Sequence, residues 1–167
     1  MGRYLPDPDP EATMLGEEQW RWLEEELKKP ADLRIIGNST QVVCEHDGFE
    51  AWSNMPLEKK RLLSLIEKTK AEGIVFLSGD SHHGEIHLDE HEGFYQFWEF
   101  TSSGINQGLP ATEDQNRVGP AIAEPNFGSV EIDWKLRQVK VSNSARSKSP
   151  FPLEAIPLSL TPFPFLS

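Results

Sequence analysis

Two segments of the chain repeat apolar residues every three or four positions, as amphipathic helices do. The first runs from Leu15 to Lys29, carries charged residues on its other side and ends before Pro30. The second begins near Asn54, a suitable N-cap with Pro56 in the first turn, and Gly73 follows it as a C-cap. The pattern therefore predicts two helices, each with one buried face.

Shorter apolar or alternating runs predict strands. The four apolar residues from Ile74 to Leu77 lie between glycines and are typical of a fully buried strand, whereas residues 85–89 alternate strictly, as in a half-buried strand. The other predicted strands are residues 33–37, 40–43, 95–101, 129–134 and 137–142, the last two forming an antiparallel edge. The order is βαβ-like, so we expect an α/β fold with a mixed sheet and flanking helices.

The same pattern divides the chain into three parts. Residues 1–14 carry prolines at alternate positions and should form an extended lead-in arm. Residues 15–143 contain the predicted helices and strands. Residues 144–167 alternate proline with Phe and Leu and should run extended along a surface. Within the middle part, residues 105–125 form a long polar stretch, and loops of that length are usually functional or disordered.

Composition narrows the class of protein. A chain of 167 residues with 37% hydrophobic residues and five Trp can bury one core, in which the Trp side chains are expected to pack. The excess of 27 acidic over 16 basic residues gives a net charge of -11 and argues against nucleic acid binding. No apolar run approaches the roughly 20 residues of a membrane span. The single cysteine, Cys44, excludes an internal disulfide and is expected to be buried.

Candidate metal chemistry lies directly after the buried strand. There Gly79 is followed by Asp80, which offers an anionic oxygen, and by His82, which offers an imidazole nitrogen. This mixture suits zinc, manganese or iron better than calcium alone. The two side chains can converge on one ion only if the backbone turns sharply, and we expect Gly79 to permit that turn by adopting positive φ. The alternative interpretation is an N-capping Asp80 beside surface histidines.

The remaining histidines are weaker candidates. Because His83 directly follows His82, its ring should point elsewhere, and a role beside the ligands or the substrate is as well supported as simple exposure. His87 shares a strand face with Glu85, and a solvated face explains it better than metal ligation. His46 and His91 are interpreted as loop histidines.

Several separate segments share a pattern with one protein family. They are residues 4–10, 13–23, 33–43, 48–52, 76–85, 99–104 and 126–134. In this pattern the chain resembles the C-terminal half of the alkaline phosphatase D (PhoD-like) metallophosphatases, over most of residues 4 to 143. The resemblance implies that residues 15–143 are half of a metallophosphoesterase αββα sandwich. It also implies that the substrate is a phosphate ester. Since such enzymes are often exported, it also allows an exported or periplasmic location, although the chain has no recognisable signal peptide.

The resemblance also implies roles for individual residues. The broader calcineurin-like superfamily ends a core strand with a Gly-His-x-His motif, and Asp80 and His82 fall on its two histidine positions, which makes them the expected metal ligands. Asn38 lies where an earlier superfamily motif has histidine, and an amide oxygen can bind a hard ion. Glu85 is the nearest candidate to orient an imidazole. The ions implied are iron, calcium, manganese or zinc.

The Asp-rich motifs that complete the family's two-metal site do not occur in these residues. The resemblance therefore implies a partial site, with no nucleophile, acid or base assigned, and little turnover by the chain alone. The expected partner is the missing N-terminal half, or a second copy covering an exposed sheet face. Two alternatives remain: an inactive remnant that packs against another chain, and a small protein that binds one zinc through Asp80, His82, Glu85 and, as a fourth candidate, His87.

Overall fold

The computed structural model describes residues 4–45, 48–90, 96–145 and 154–157. These residues form two α-helices, one short 3-10 turn at Trp52–Asn54 and seven β-strands. The elements are α1 Gly16–Leu27, β1 Arg34–Gly37, α2 Pro56–Thr69, β2 Ile74–Ser78, β3 Gly84–Glu90, β4 Gln96–Ser102, β5 Asn126–Asp133, β6 Gln138–Ala145 and β7 Glu154–Pro157. His46 and His91, and residues 146–153 and 158–167 of the predicted tail, lie outside the described residues.

The strands form two sheets. The first has the order β1-β2-β4-β3, in which β1, β2 and β4 are parallel and β3 is antiparallel to β4. This is the mixed sheet that the sequence predicts, so the expected α/β class is confirmed. The predicted antiparallel pair is also present as β5 and β6. It does not extend the mixed sheet, however, but forms a second antiparallel sheet with the order β5-β6-β7.

The main core lies between the two helices and the mixed sheet. Phe76 of β2 is fully buried, and both helices contribute their predicted apolar faces to the same cluster. Its helical members are Trp20, Leu23 and Leu27 from α1, and Leu62 and Ile66 from α2. Burying each such side chain contributes about 1.5–3 kcal/mol, which offsets the entropy lost on ordering the chain. A second cluster joins the two sheets through Trp98, Phe100, Val139 and Val141.

The helix α2 begins and ends differently from the prediction. Its N-cap is Met55, because Asn54 belongs to the preceding 3-10 turn, where its side chain accepts a hydrogen bond from the Ala51 N–H. At the other end, Lys70 adopts the left-handed conformation with φ 54° and closes the helix. Gly73 has φ 67° and lies at the entry to β2, where the carbonyl of Asp32 leaves no room for a side chain. The predicted Asn54 and Gly73 caps are therefore wrong.

Residues 40–43 do not form the predicted strand. Gln41 makes only an isolated bridge to Ala51. The N–H groups of Val42 and Val43 instead donate to the carboxylate of Glu99, at 2.7 to 3.0 Å. A buried side chain thus takes the backbone donors that a sheet would use.

Other predictions are confirmed in part. Cys44 is buried, as expected. Among the Trp residues, Trp22 and Trp134 are 61% exposed, while the other three pack in the core. The stretch 105–125 is partly paired, because Ile122 and Arg117 bridge to β3. No helix within the described residues is long and apolar enough to cross a membrane.

Candidate metal-binding turn

The turn after β2 has a strained backbone. Asp80 and His82 both adopt left-handed φ values, 67° and 57°, which non-glycine residues rarely do, although Asp and His are among those that tolerate it. Gly79 does not adopt positive φ, so the predicted role of this glycine is wrong. Hydrogen bonds hold the turn: the His82 N–H donates to Ser103 Oγ at 2.9 Å, and the His82 carbonyl accepts from the Leu109 N–H at 2.8 Å.

Asp80 and His82 are exposed and line the same cavity. The cavity has a volume of about 140 Å³ and lies at the carboxyl end of β2. Its other walls are Gln41, Phe49, Glu50, Ser81, His83, Leu109, Pro110 and Thr112. Phe49, from the loop before the 3-10 turn, also lines this cavity. No sequence pattern pointed to its neighbour Glu50, which brings a second carboxylate.

The cavity is acidic. The hydroxyl of Tyr4 is hydrogen-bonded to Glu50, and this bond raises the pKa of Tyr4, with the negative charges of Glu50 and Asp80 acting in the same direction. Tyr4 belongs to the predicted lead-in arm, and its N–H donates to the carbonyl of Gly48. The described part of the arm, from Tyr4 onward, therefore packs beside the cavity and adds no positive charge to it.

Glu85 is buried behind the turn and holds His83 rather than His82. One carboxylate oxygen accepts from Gln41 and lies 2.7 Å from His83 Nε2, and the other accepts from Arg117 Nε at 2.6 Å. Burial alone would raise the pKa of Glu85, but the hydrogen bond from His83, the charges of His87 and His83, and the bond from Gln41 outweigh it, lowering this pKa to about 2. The prediction that Glu85 orients an imidazole thus applies to His83.

His87 is fully buried, and its predicted solvated position is wrong. The loop after β4 pairs with the edge of β3 through a backbone bridge between Arg117 and His87, and Asp114 of this loop lies 3.6 Å from His87 Nε2. Burial lowers the pKa of His87, partly opposed by the charges of Glu85 and Asp114. Within the described part of the chain, His87, Cys44 and Asp114 form a group that could hold a metal ion, with one ligand atom from each lying within 4.8 Å of the others. Asp80, His82 and Glu85 form no such group there.

Asn38 lies at the end of β1, and its N–H donates to the carbonyl of Leu77. Its side-chain Nδ2 is buried and has no hydrogen-bond partner among the described residues. Asn38 lines a different cavity from Asp80 and His82, one of about 560 Å³ between α1 and β1.

Comparisons with known proteins bear on this arrangement. The model of one family, described as PhoD-like phosphatase, matches residues 4–142. The chain belongs to this family. A solved structure titled "Structure of PhoD" is similar with a TM-score of 0.54 and 15% sequence identity, and the match covers 91% of this chain. At that identity the likeness shows the fold alone. The match covers 38% of the solved chain, and no curated protein matches this sequence.

Proposed function

We propose that this PhoD-like chain supplies one metal-ligand turn of a two-metal site that hydrolyses phosphate esters, with Asp80 and His82 as the ligands. The observation that carries the proposal is that both side chains line one cavity after β2. β2 lies between the parallel strands β1 and β4, and ligand sites in such sheets lie outside the carboxyl ends of the strands.

The donor set suits the ions that the family resemblance implies, namely iron, calcium, manganese or zinc. Asp80 offers hard oxygen, His82 offers borderline nitrogen, and Glu50 offers a further carboxylate in the same cavity. When bound, such ions polarise a phosphoryl oxygen and lower the pKa of water.

The positive charge that attracts a phosphate would have to come from the bound ions, because the chain itself is acidic. The net charge is -11, and the nearby Arg117 is already paired with Glu85. His83 also lines the cavity while hydrogen-bonded to Glu85, so its ring is held in one orientation beside the proposed ligands. We assign His83 to substrate positioning, and Glu85 to fixing that imidazole.

The proposed site is partial. Two ions need roughly six to eight protein ligands, whereas the cavity offers Asp80, His82 and Glu50. The chain spans 38% of the similar PhoD structure, so we propose that the remaining ligands come from residues beyond these 167. Asn38 is not placed among these ligands, because it lines the other cavity and its unpartnered atom is the donor Nδ2, which cannot bind a cation.

The test is hydrolysis of p-nitrophenyl phosphate with Fe³⁺, Ca²⁺, Mn²⁺ or Zn²⁺. We expect little or no turnover by the chain alone. When the upstream half of a PhoD-like domain is fused before Tyr4, we expect metal-dependent turnover that falls about 100-fold in Asp80→Asn or His82→Gln. Asp89→Asn on β3 is the matched control and should leave turnover unchanged. Activity in either form that survives both turn substitutions would contradict the proposal.

A second candidate function, packing against another chain, is favoured by one observation. β1 is an edge strand, and it borders the apolar cavity beside α1. Ile35 on this strand is 46% exposed, and Trp22 on α1 is 61% exposed. Such an edge offers unpaired backbone groups and apolar area to a partner. The partner is either the missing half of the domain or a second copy.

A further inference from the structure

We propose that Cys44, His87 and Asp114 bind a structural zinc ion, at a second site separate from the Asp80–His82 turn. One ligand atom from each residue lies within 4.8 Å of the others. The three come from distant parts of the chain: the segment after β1, the middle of β3 and the loop after β4. An ion at this point would hold these three parts together.

The individual distances are close to those of a zinc site. His87 Nε2 lies 3.6 Å from Asp114 Oδ1, and Cys44 Sγ lies 3.2 Å from Asp114 Oδ2. In tetrahedral zinc, with bonds of about 2.0 to 2.3 Å, neighbouring ligand atoms lie about 3.3 to 3.8 Å apart. These two distances involve different oxygens of Asp114. Because one ligand atom from each of the three residues lies within 4.8 Å of the others, side-chain movements of about 1 Å would bring them to the spacing of zinc ligands.

The side chain of His87 gives evidence for a bound ion that is independent of these distances. Its side chain is fully buried, yet neither ring nitrogen has a hydrogen-bond partner among the described residues. A buried polar group without a partner costs about 1–3 kcal/mol. Metal ligation through one imidazole lone pair would satisfy a ring nitrogen that the protein leaves without a partner.

The other two ligands are held in place by backbone groups. Asp114 accepts hydrogen bonds from the N–H groups of Glu45 and Asn116, at 2.9 and 2.7 Å. The backbone at Cys44 is fixed because its own N–H and those of the two preceding residues point at the Glu99 carboxylate. Partners of this kind orient metal ligands and raise affinity.

The donor types select the ion. A thiolate favours zinc over calcium or magnesium, and zinc accepts imidazole and carboxylate in the same site. The Cys44 thiol would lose its proton on binding, so one proton is released to solvent. The thiolate and the Asp114 carboxylate then balance the two positive charges of the ion. Because the side chains of His87 and Asp114 are 0% and 2% exposed, we assign the ion a structural role.

Cobalt substitution tests the site directly. Cys44 is the only cysteine in the chain, so a thiolate-to-Co²⁺ charge-transfer absorption in the near ultraviolet can arise only from this residue. We expect that absorption to saturate at one Co²⁺ per untagged chain and to disappear when Zn²⁺ is added. Cys44→Ser should abolish it, and His87→Gln should weaken Co²⁺ binding at least tenfold.

His82→Gln is the control that separates the two proposed sites, and it should leave the absorption unchanged. Folding of each variant is checked by circular dichroism, and the wild-type spectrum decides the question even if Cys44→Ser fails to fold. Absence of the charge-transfer absorption from wild-type chain that binds Co²⁺, or from chain that binds none at millimolar Co²⁺, would overturn the proposal. Loss of phosphatase activity in the fused protein would not affect it.

Discussion

Individual buried carboxylates connect parts of this chain that are far apart in sequence. Glu58 of α2 accepts hydrogen bonds from Thr13 Oγ1, the Met14 N–H and Trp20 Nε1, each at 2.8 to 2.9 Å. It therefore joins the lead-in arm and α1 to α2. Burial would raise its pKa, but these bonds outweigh burial, so the pKa of Glu58 is lowered.

Glu58→Gln should make the chain less stable at neutral pH, by about 1–2 kcal/mol, because charge-assisted bonds are lost. Since the folded pKa lies below the unfolded value of 4.5, the stability that ionised Glu58 contributes is present above that value and is lost as the pH falls through the folded pKa. Urea unfolding at several pH values should show the gap between wild type and Glu58→Gln narrowing in acid. Glu18→Gln, on the exposed face of α1, is the control. A stability difference between wild type and Glu58→Gln that stays constant with pH would contradict a stabilising role of ionised Glu58.

Secondary-structure elements of this fold were predictable where the sequence pattern that forms them lies within one short segment. The strand Ile74–Ser78 and the turn with Asp80 and His82 follow from adjacent residues, and both are found. The burial of His87 was not predictable, because Asp114, which lies 3.6 Å from its imidazole, is 27 positions away in a polar loop. Pairing across such separations leaves no periodic trace in the sequence.

The segment after β1 depends on another such distant residue. Because Glu99 accepts the N–H groups of Val42 and Val43, Glu99→Gln would turn an amide donor toward them. We expect a loss of about 2–4 kcal/mol and faster hydrogen exchange at these two amides. Urea unfolding and exchange measured by NMR provide the check, with Glu131→Gln on β5 as control. Unchanged protection of both amides would show that Glu99 does not anchor the segment.

As a whole molecule, the chain has a mixed α/β fold similar to part of a solved PhoD structure. It covers 38% of the similar PhoD structure, and the edge strand β1 borders an apolar cavity. The family and the fold class were predictable because the matching segments are spread along the chain. The second sheet and the placement of Asn38 away from Asp80 required the three-dimensional packing.

Light scattering should therefore show association of the chain at about 100 µM, as a dimer or larger species, because the edge strand β1 offers backbone groups to a second strand and Ile35 and Trp22 are exposed beside it. Ile35→Glu on β1 should shift the chain toward monomer. Ile132→Glu on the second sheet, at a position 37% exposed, is the matched control and should leave association unchanged. A wild-type chain that remains monomeric would count against a partner on this edge.

The central claim is that the turn after β2 binds a cation, and paramagnetic NMR tests it most directly. Mn²⁺ added to ¹⁵N-labelled chain should broaden the amide signals of Asp80 and His82 first, even if binding is weak. This selective broadening should disappear in Asp80→Asn and remain in Asp89→Asn. Absence of broadening at Asp80 and His82, or broadening of these two signals that persists in Asp80→Asn, would contradict the assignment of this turn as a metal site, whether or not the separate group at His87 also binds Mn²⁺.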